Sequence, residues 1–213
     1  MSKISILKKL ALIAAGAMIL PAFAAAEIKM GIILGFTGPI ESLTPDMGSS
    51  AELAFKEASD SGQLLGGQKI SVVRADSTCI DAAAASAAAE RLITSDKVAG
   101  IMGADCSGVT TAIANNVAVP NGVTMISPSA TSPALSTIAD NGYFFRTAPS
   151  DARQGQVLAE ISMERGISQV AVTFTNNDYG KGLSEAFINA YKGLGGKVSA
   201  VVPHEDGKAD YSA

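Results

Sequence analysis

Tryptophan is absent from this 213-residue chain, histidine occurs once, at 204, and cysteine only twice, at 79 and 106. That supply is too small for a zinc site built on Cys and His ligands. It also leaves Ser107 and every other hydroxyl nucleophile with a single histidine, His204, as a candidate base, which argues against an enzyme of the serine or cysteine hydrolase type. No G-x-x-x-x-G-K-[ST] phosphate loop is present, and the first glycine-rich turn, GFTGP at 35–39, lacks the G-x-G-x-x-G spacing of a dinucleotide site, so no cofactor is expected. Charged residues make up only 17% of the chain and acidic ones outnumber basic ones, giving a net charge of −4. That balance disfavours nucleic acid and anionic membranes as partners. The apolar run at 10–20 is too short to span a bilayer.

That run does fit a leader. Lys3, Lys8 and Lys9 precede it, and Ala22, Ala24 and Ala26 offer small-residue cleavage positions, the composition of a secretory signal peptide over residues 1–26. A mature chain starting near Glu27 and exported to the periplasm is expected. Its charge would be −7, because the leader holds three of the sixteen Lys and Arg and none of the twenty Asp and Glu. In an oxidising compartment an isolated pair such as Cys79 and Cys106 usually forms one disulfide. Closing about 28 residues, it would contribute roughly 3–4 kcal/mol on the chain-entropy account.

From Glu27 onward, short apolar runs alternate with helical periods. Runs at 28–34, 70–73, 98–102 and 123–126 are β-branched and bounded by Gly, Asp or Pro, as buried parallel strands are. Between them Met47, Ala51, Ala54, Phe55 and Ala58 share one helical face, Ala82, Ala85, Ala89, Leu92 and Ile93 a second, and Val109, Ile113 and Val117 a third. The alternation predicts an α/β fold with a doubly wound parallel sheet. After YFFRTAPSD at 143–151, Pro149 ends a strand, and Ser150 and Asp151 are candidates to cap a new helix. A second block follows: a helix to about Arg165, a strand at 170–174, a helix through Leu183, Phe187, Tyr191 and Leu194, and a strand at 198–202. The division expected is a leader at 1–26, a first lobe at 27–148, and an incomplete second lobe at 149–213, in an N-terminal fragment of a longer chain.

Two polar loops stand out against this frame, GADCSGVTT at 103–111 and ISPSATSPAL at 126–135. Each follows a strand and sets small hydroxyl residues at what reads as a helix start, where unpaired N–H groups and the helix dipole favour an anion. Ser and Thr cap helices routinely, so the same residues also read as ordinary caps. Asn176, Asn177 and Asp178 before Tyr179 likewise form a common turn, and Asp76 and Asp105 read as caps or solvent-facing carboxylates.

Taken in order, MGIILGFTGPI at 30–40, the spaced Cys79 and Cys106, GADCSG, ISPSATSPAL, FFRTAPSDARQG at 144–155 and NNDYGKGL at 176–183 resemble the periplasmic leucine/isoleucine/valine-binding proteins of ABC importers. The resemblance implies two α/β lobes of the type I periplasmic binding fold, closing on a small amino acid or related carboxylate. It implies that Ser107 binds the ligand's α-carboxylate through hydroxyl and amide, that Ser129 offers a carbonyl to the ammonium, and that Thr131 offers an amide and a hydroxyl. It also implies that Tyr179 meets the ligand from the second lobe, that Cys79 and Cys106 are the family's disulfide, and that a monomer delivers ligand to an inner-membrane ABC permease. Two departures are visible. Leu43 stands where members carry an aromatic after the GP turn, and the family's acidic partner for the ammonium belongs to a part of the pattern beyond this sequence. An amide, urea or aromatic acid ligand therefore stays open, as does a sensory ligand-binding module of a signalling receptor.

Overall fold

The computed structural model describes residues 27–207, 210 and 211. The leader at 1–26 lies outside the described residues, as do residues 208, 209, 212 and 213 of the expected second lobe.

The chain opens with β1 (Ile28–Leu34), α1 (Thr44–Asp60), β2 (Ile70–Asp76), α2 (Ala82–Thr94), β3 (Gly100–Gly103) and α3 (Ser107–Ile113). It continues through β4 (Thr124–Ser127), β5 (Phe144–Arg146), α4 (Asp151–Glu164), β6 (Gln169–Thr175), α5 (Asp178–Gly193) and β7 (Lys197–His204). The first five strands form one sheet in the order β2-β1-β3-β4-β5, every neighbouring pair parallel. β6 and β7 form a second, two-stranded parallel sheet. In the first sheet the chain winds outward from β1 to β2, then returns to β1's other side with β3. The crevice beyond the carboxyl ends of β1 and β3 is thus the topological switch point, where open α/β sheets hold ligands.

The core behaves as alternation demands. Ile33, Ile101 and Met125 of the sheet are buried with Ala85, Ala89 and Leu92 of α2 and Val109 and Ile113 of α3. The alanine-rich α2 is an ordinary packed helix whose small face lies in the core, and Asp81 caps it by accepting from the amides of Ala83 and Ala84. Val117 is buried too, though α3 widens into a π-turn at Ala114–Ala118 before reaching it.

Three local expectations need correction. In α1 the fully buried positions are Thr44, Gly48 and Ser59; of the expected face Met47, Ala51, Phe55 and Ala58 are half-buried and only Ala54 is exposed. The loop after β4 leads into a four-residue 3-10 turn, Pro133–Ser136, instead of an α-helix. Pro133 suits a first turn, but the Thr137 hydroxyl then donates to the Ala134 carbonyl and competes with helix propagation. Leu194 lies beyond the end of α5 and is exposed, so the buried stripe of that helix ends at Tyr191, whose hydroxyl donates to the Ile167 carbonyl at 2.6 Å.

Candidate ligand site

The site is built where β1, β2, β3 and β4 end. Asp105 follows β3 and is buried. Its carboxylate accepts from the Gly35 amide after β1 (2.6 Å), the Ser77 hydroxyl after β2 (3.3 Å) and the Cys106 amide (2.8 Å). A carboxylate so surrounded fastens three loops, and it is neither a cap nor a solvent-facing group. The Cys79–Cys106 disulfide, with Cα atoms 5.2 Å apart, adds a covalent tie between the loops after β2 and β3. Gly103 makes the close approach possible: at its φ of 133° a side chain's Cβ would lie 2.0 Å from the Ile33 carbonyl oxygen.

Asp76 orders the first turn. Burial alone would raise its pKa, but the Thr37 hydroxyl (2.6 Å) and the amides of Thr78, Thr37 and Phe36 outweigh burial and hold the carboxyl below the usual range.

The two polar loops of the sequence meet directly. Ser107, 2% exposed at the first position of α3, accepts from the Ser132 amide on its hydroxyl oxygen at 3.1 Å. Ser129 Oγ donates to the Asp105 carbonyl, and Ser127 Oγ accepts from the Ala130 amide. From β5, Arg146 donates to the carbonyls of Ala130 (3.3 Å) and Ser132 (2.8 Å) and to Ser136 Oγ. The loop at 127–136 is therefore held from α3 on one side and from β5 on the other.

Thr131, in the middle of that loop, faces the start of α4. Its hydroxyl donates to Asp151 Oδ2 at 2.8 Å, and its carbonyl accepts the Asp151 amide at 2.9 Å. Asp151 is 1% exposed, and burial pushes its carboxyl upward against the opposing pull of the Thr131 hydroxyl and the Arg146 charge. Ser150, and not Asp151, caps α4, accepting from the Ala152 amide. Tyr179, in the first turn of α5, is 43% exposed; burial and then the negative charge of Asp151 push its phenol upward. Asn177 caps α5 through the Gly180 amide, which is the turn expected of that segment.

Of the four residues singled out in the sequence, Ser107, Ser129 and Thr131 stand on two loops that hydrogen bonds join, and Tyr179 feels the charge of Asp151, the partner of Thr131. Leu43, before α1, is 61% exposed. Sequence reasoning missed Arg146 and Asp151. The FFRTAPSD segment carried both, but nothing in it shows that an arginine would reach carbonyls 14 and 16 residues away in the chain. Two grooves lie nearby. One of about 420 Å³ separates the Pro133 turn from α5 and is lined by Ser132, Pro133, Lys181, Gly182 and Glu185 among others. The other, of about 570 Å³, runs along β6 and α5 past Phe174, Tyr179 and Phe187. Ser107, Ser129 and Thr131 line neither.

The family described as periplasmic binding protein matches residues 27–213. The chain belongs to that family. A Leu/Ile/Val-binding protein homolog from Brucella melitensis is 33% identical to this binding protein over 163 residues, covering 76% of it and 43% of the relative. Among solved structures, a leucine-binding protein from Thermotoga maritima is 29% identical with a TM-score of 0.74, covering 87% of this chain and 51% of the other. The branched-chain amino acid transporter substrate-binding protein LivJ from Streptococcus pneumoniae, solved with isoleucine, is also 29% identical, with a TM-score of 0.75 and coverage of 88% and 52%. The binding protein described here spans about half the length of the relatives it matches. Those relatives are binding proteins rather than enzymes, and the parallel sheet with its switch-point crevice is the type I periplasmic binding fold that they share with it.

Proposed function

We propose that this chain supplies the first lobe, residues 27–148, and the start of the second, from 149, of an exported receptor that captures a small α-amino acid, of branched-chain type, for an inner-membrane ABC permease. The observation that carries the reading is the opposite polarity of two hydroxyls on joined loops. Ser107 Oγ accepts from the Ser132 amide, and among the described residues its own proton has no acceptor, so it is free to donate to a carboxylate. Thr131 Oγ1 has its proton engaged by Asp151 and offers lone pairs, which suit an ammonium. Ser132 follows Thr131 in the chain and donates its amide to Ser107, so the donor and the acceptor stand on two joined loops, a pairing that suits a zwitterion. Backbone amides in the first turn of α3 add donors for the carboxylate.

Ser129 presents its carbonyl to the ammonium, Tyr179 approaches from the second lobe, and closure follows from contacts that only the closed state makes. The relatives that bind leucine, isoleucine and valine by name support the ligand class. A thermal-shift screen of the full natural protein against amino acids, amides and aromatic acids tests it, because a ligand of the folded state raises the melting temperature by mass action. Leucine, isoleucine or valine should give the largest shifts. Shifts confined to aromatic acids or amides would overturn the ligand class.

A further inference from the structure

Two Asn-Gly pairs lie outside the ligand loops, Asn121–Gly122 and Asn141–Gly142, and both are exposed. Such a pair carries chemistry of its own. The glycine nitrogen can attack the carbonyl carbon of the asparagine side chain, and without a Cβ glycine hinders that approach least. A C–N bond forms, the attacking nitrogen gives up its proton, the side-chain nitrogen leaves as ammonia, and a five-membered succinimide results. Water then opens the ring at one carbonyl or the other, leaving aspartate or isoaspartate. The conversion consumes one water, releases one ammonia and needs no oxidant or cofactor.

The two pairs are held differently. Asn121 is fastened at two points, its side-chain amide donating to the Val117 carbonyl at 2.8 Å and its backbone amide to the same carbonyl at 3.2 Å. The Gly122 amide donates to the Val119 carbonyl at 3.0 Å, and a carbonyl can hold that proton but not remove it. The Asn141 side chain, in contrast, makes no hydrogen bond among the described residues. Asn141 and Gly142, at φ of 50° and 80°, form the centre of a type I′ turn closed by the Tyr143 amide on the Asp140 carbonyl at 2.9 Å. Breaking that one bond frees Asn141 to bring its side chain onto the Gly142 nitrogen, a local opening that exposed turns undergo readily. The Gly142 N–H donates to Asp140 Oδ1 at 2.9 Å, so the nucleophile's proton already faces a carboxylate within the reach of a general base. We propose that Asn141 is a site of self-catalysed deamidation, with the Gly142 nitrogen as nucleophile and Asp140 as its base, and that Asn121 is protected. The isoaspartate product lengthens the main chain by one methylene two residues before Tyr143, whose carbonyl accepts the Met125 amide at 2.8 Å where β5 pairs with β4. Conversion therefore loosens the entry to the strand that carries Arg146.

The test needs no ligand. The full natural protein is held for several weeks in mildly alkaline buffer, digested with trypsin and sequenced by tandem mass spectrometry, with a parallel sample labelled by an isoaspartyl methyltransferase. Both asparagines fall in one tryptic peptide, residues 98–146, so each serves as the other's control. Asn141 should gain the mass that separates an acid from an amide and should take up the methyl label, while Asn121 keeps its amide. Asp140→Asn retains an oxygen to accept the Gly142 N–H but is no base, so it preserves the turn and should slow conversion at Asn141. An intact Asn141, equal conversion at Asn121, or an unchanged rate in Asp140→Asn would each overturn the proposal. The wild-type measurement stands by itself if the variant fails to fold.

Discussion

At the residue scale, Ser107 does two things at once. Its hydroxyl oxygen accepts a buried amide from Ser132, and its proton points to no protein acceptor among the described residues. Ser107→Ala therefore removes the donor proposed for the ligand and also strands the Ser132 N–H in a buried place. It should weaken amino acid binding by about 1–3 kcal/mol, and it should also destabilise the free protein by about 1–3 kcal/mol, because an unsatisfied buried donor carries its desolvation cost. Calorimetric titration and denaturant melts of the same variant separate the two effects. Much of this scale was legible in the sequence. Ser107, Ser129 and Thr131 were marked by their place after strands and by motif order, and they stand on two loops joined by the Ser132 amide to Ser107 and by Ser129 to the Asp105 carbonyl. Asp151 read as a helix cap because an acidic residue after Pro149 and Ser150 fits that role locally. Its bond to Thr131, 20 residues earlier, depends on how the loop after β4 meets the start of α4, which no local pattern encodes.

At the element scale, the strands were the most readable part. β1 runs over the residues its apolar run predicts, whereas β2 extends to Asp76, because parallel pairing with β1 carries Arg74 and Asp76 along regardless of their polarity. The 3-10 turn at Pro133–Ser136 and the π-turn at Ala114–Ala118 were not readable, since the first is a single isolated turn and the second a widening of the end of α3, and hydrophobic period marks neither. The disulfide acts at this scale. It joins the loops after β2 and β3, the latter carrying Asp105 and Ser107, and closes 27 residues of sequence separation. Reduction, or the double substitution of Cys79 and Cys106 to serine, should lower stability by roughly 3–4 kcal/mol in denaturant melts. It should also weaken ligand binding, because the loop bearing Ser107 loses one of its ties. A reduced protein with unchanged stability would show that Asp105 and its hydrogen bonds suffice to hold those loops.

At the scale of the whole molecule, the two sheets are linked by helix contacts. Gly155 of α4 lies against α5, where a side chain's Cβ would be 2.5 Å from the Phe187 amide nitrogen. Gly182 of α5 faces the Pro133 turn, and a Cβ there would lie 2.6 Å from Pro133 Cδ and 3.1 Å from Ser132 Oγ. The first contact joins α4 to α5, on the side of the second sheet. The second contact spans the groove between the 127–136 loop and α5, so it limits how near α5 comes to that loop. Gly182→Ala should hold the two apart and weaken amino acid binding, within the roughly 1–3 kcal/mol that an inserted methyl costs in tight packing. Small-angle scattering with and without ligand should then show less compaction than in the wild type. The overall α/β architecture was legible from alternating periods. The approach of Gly182 to Pro133 was not, because glycine in a helix announces only flexibility until its neighbour is known.

The central claim is that a zwitterion sits between a donor at Ser107 and an acceptor at Thr131. A crystal structure of the full natural protein with the amino acid selected by the thermal screen tests it most directly. The claim predicts the ligand carboxylate within hydrogen-bonding distance of Ser107 Oγ and the first amides of α3, with its ammonium on Thr131 Oγ1. A ligand seated in the groove along β6 and α5, or one turned so that its carboxylate faces Thr131, would contradict it.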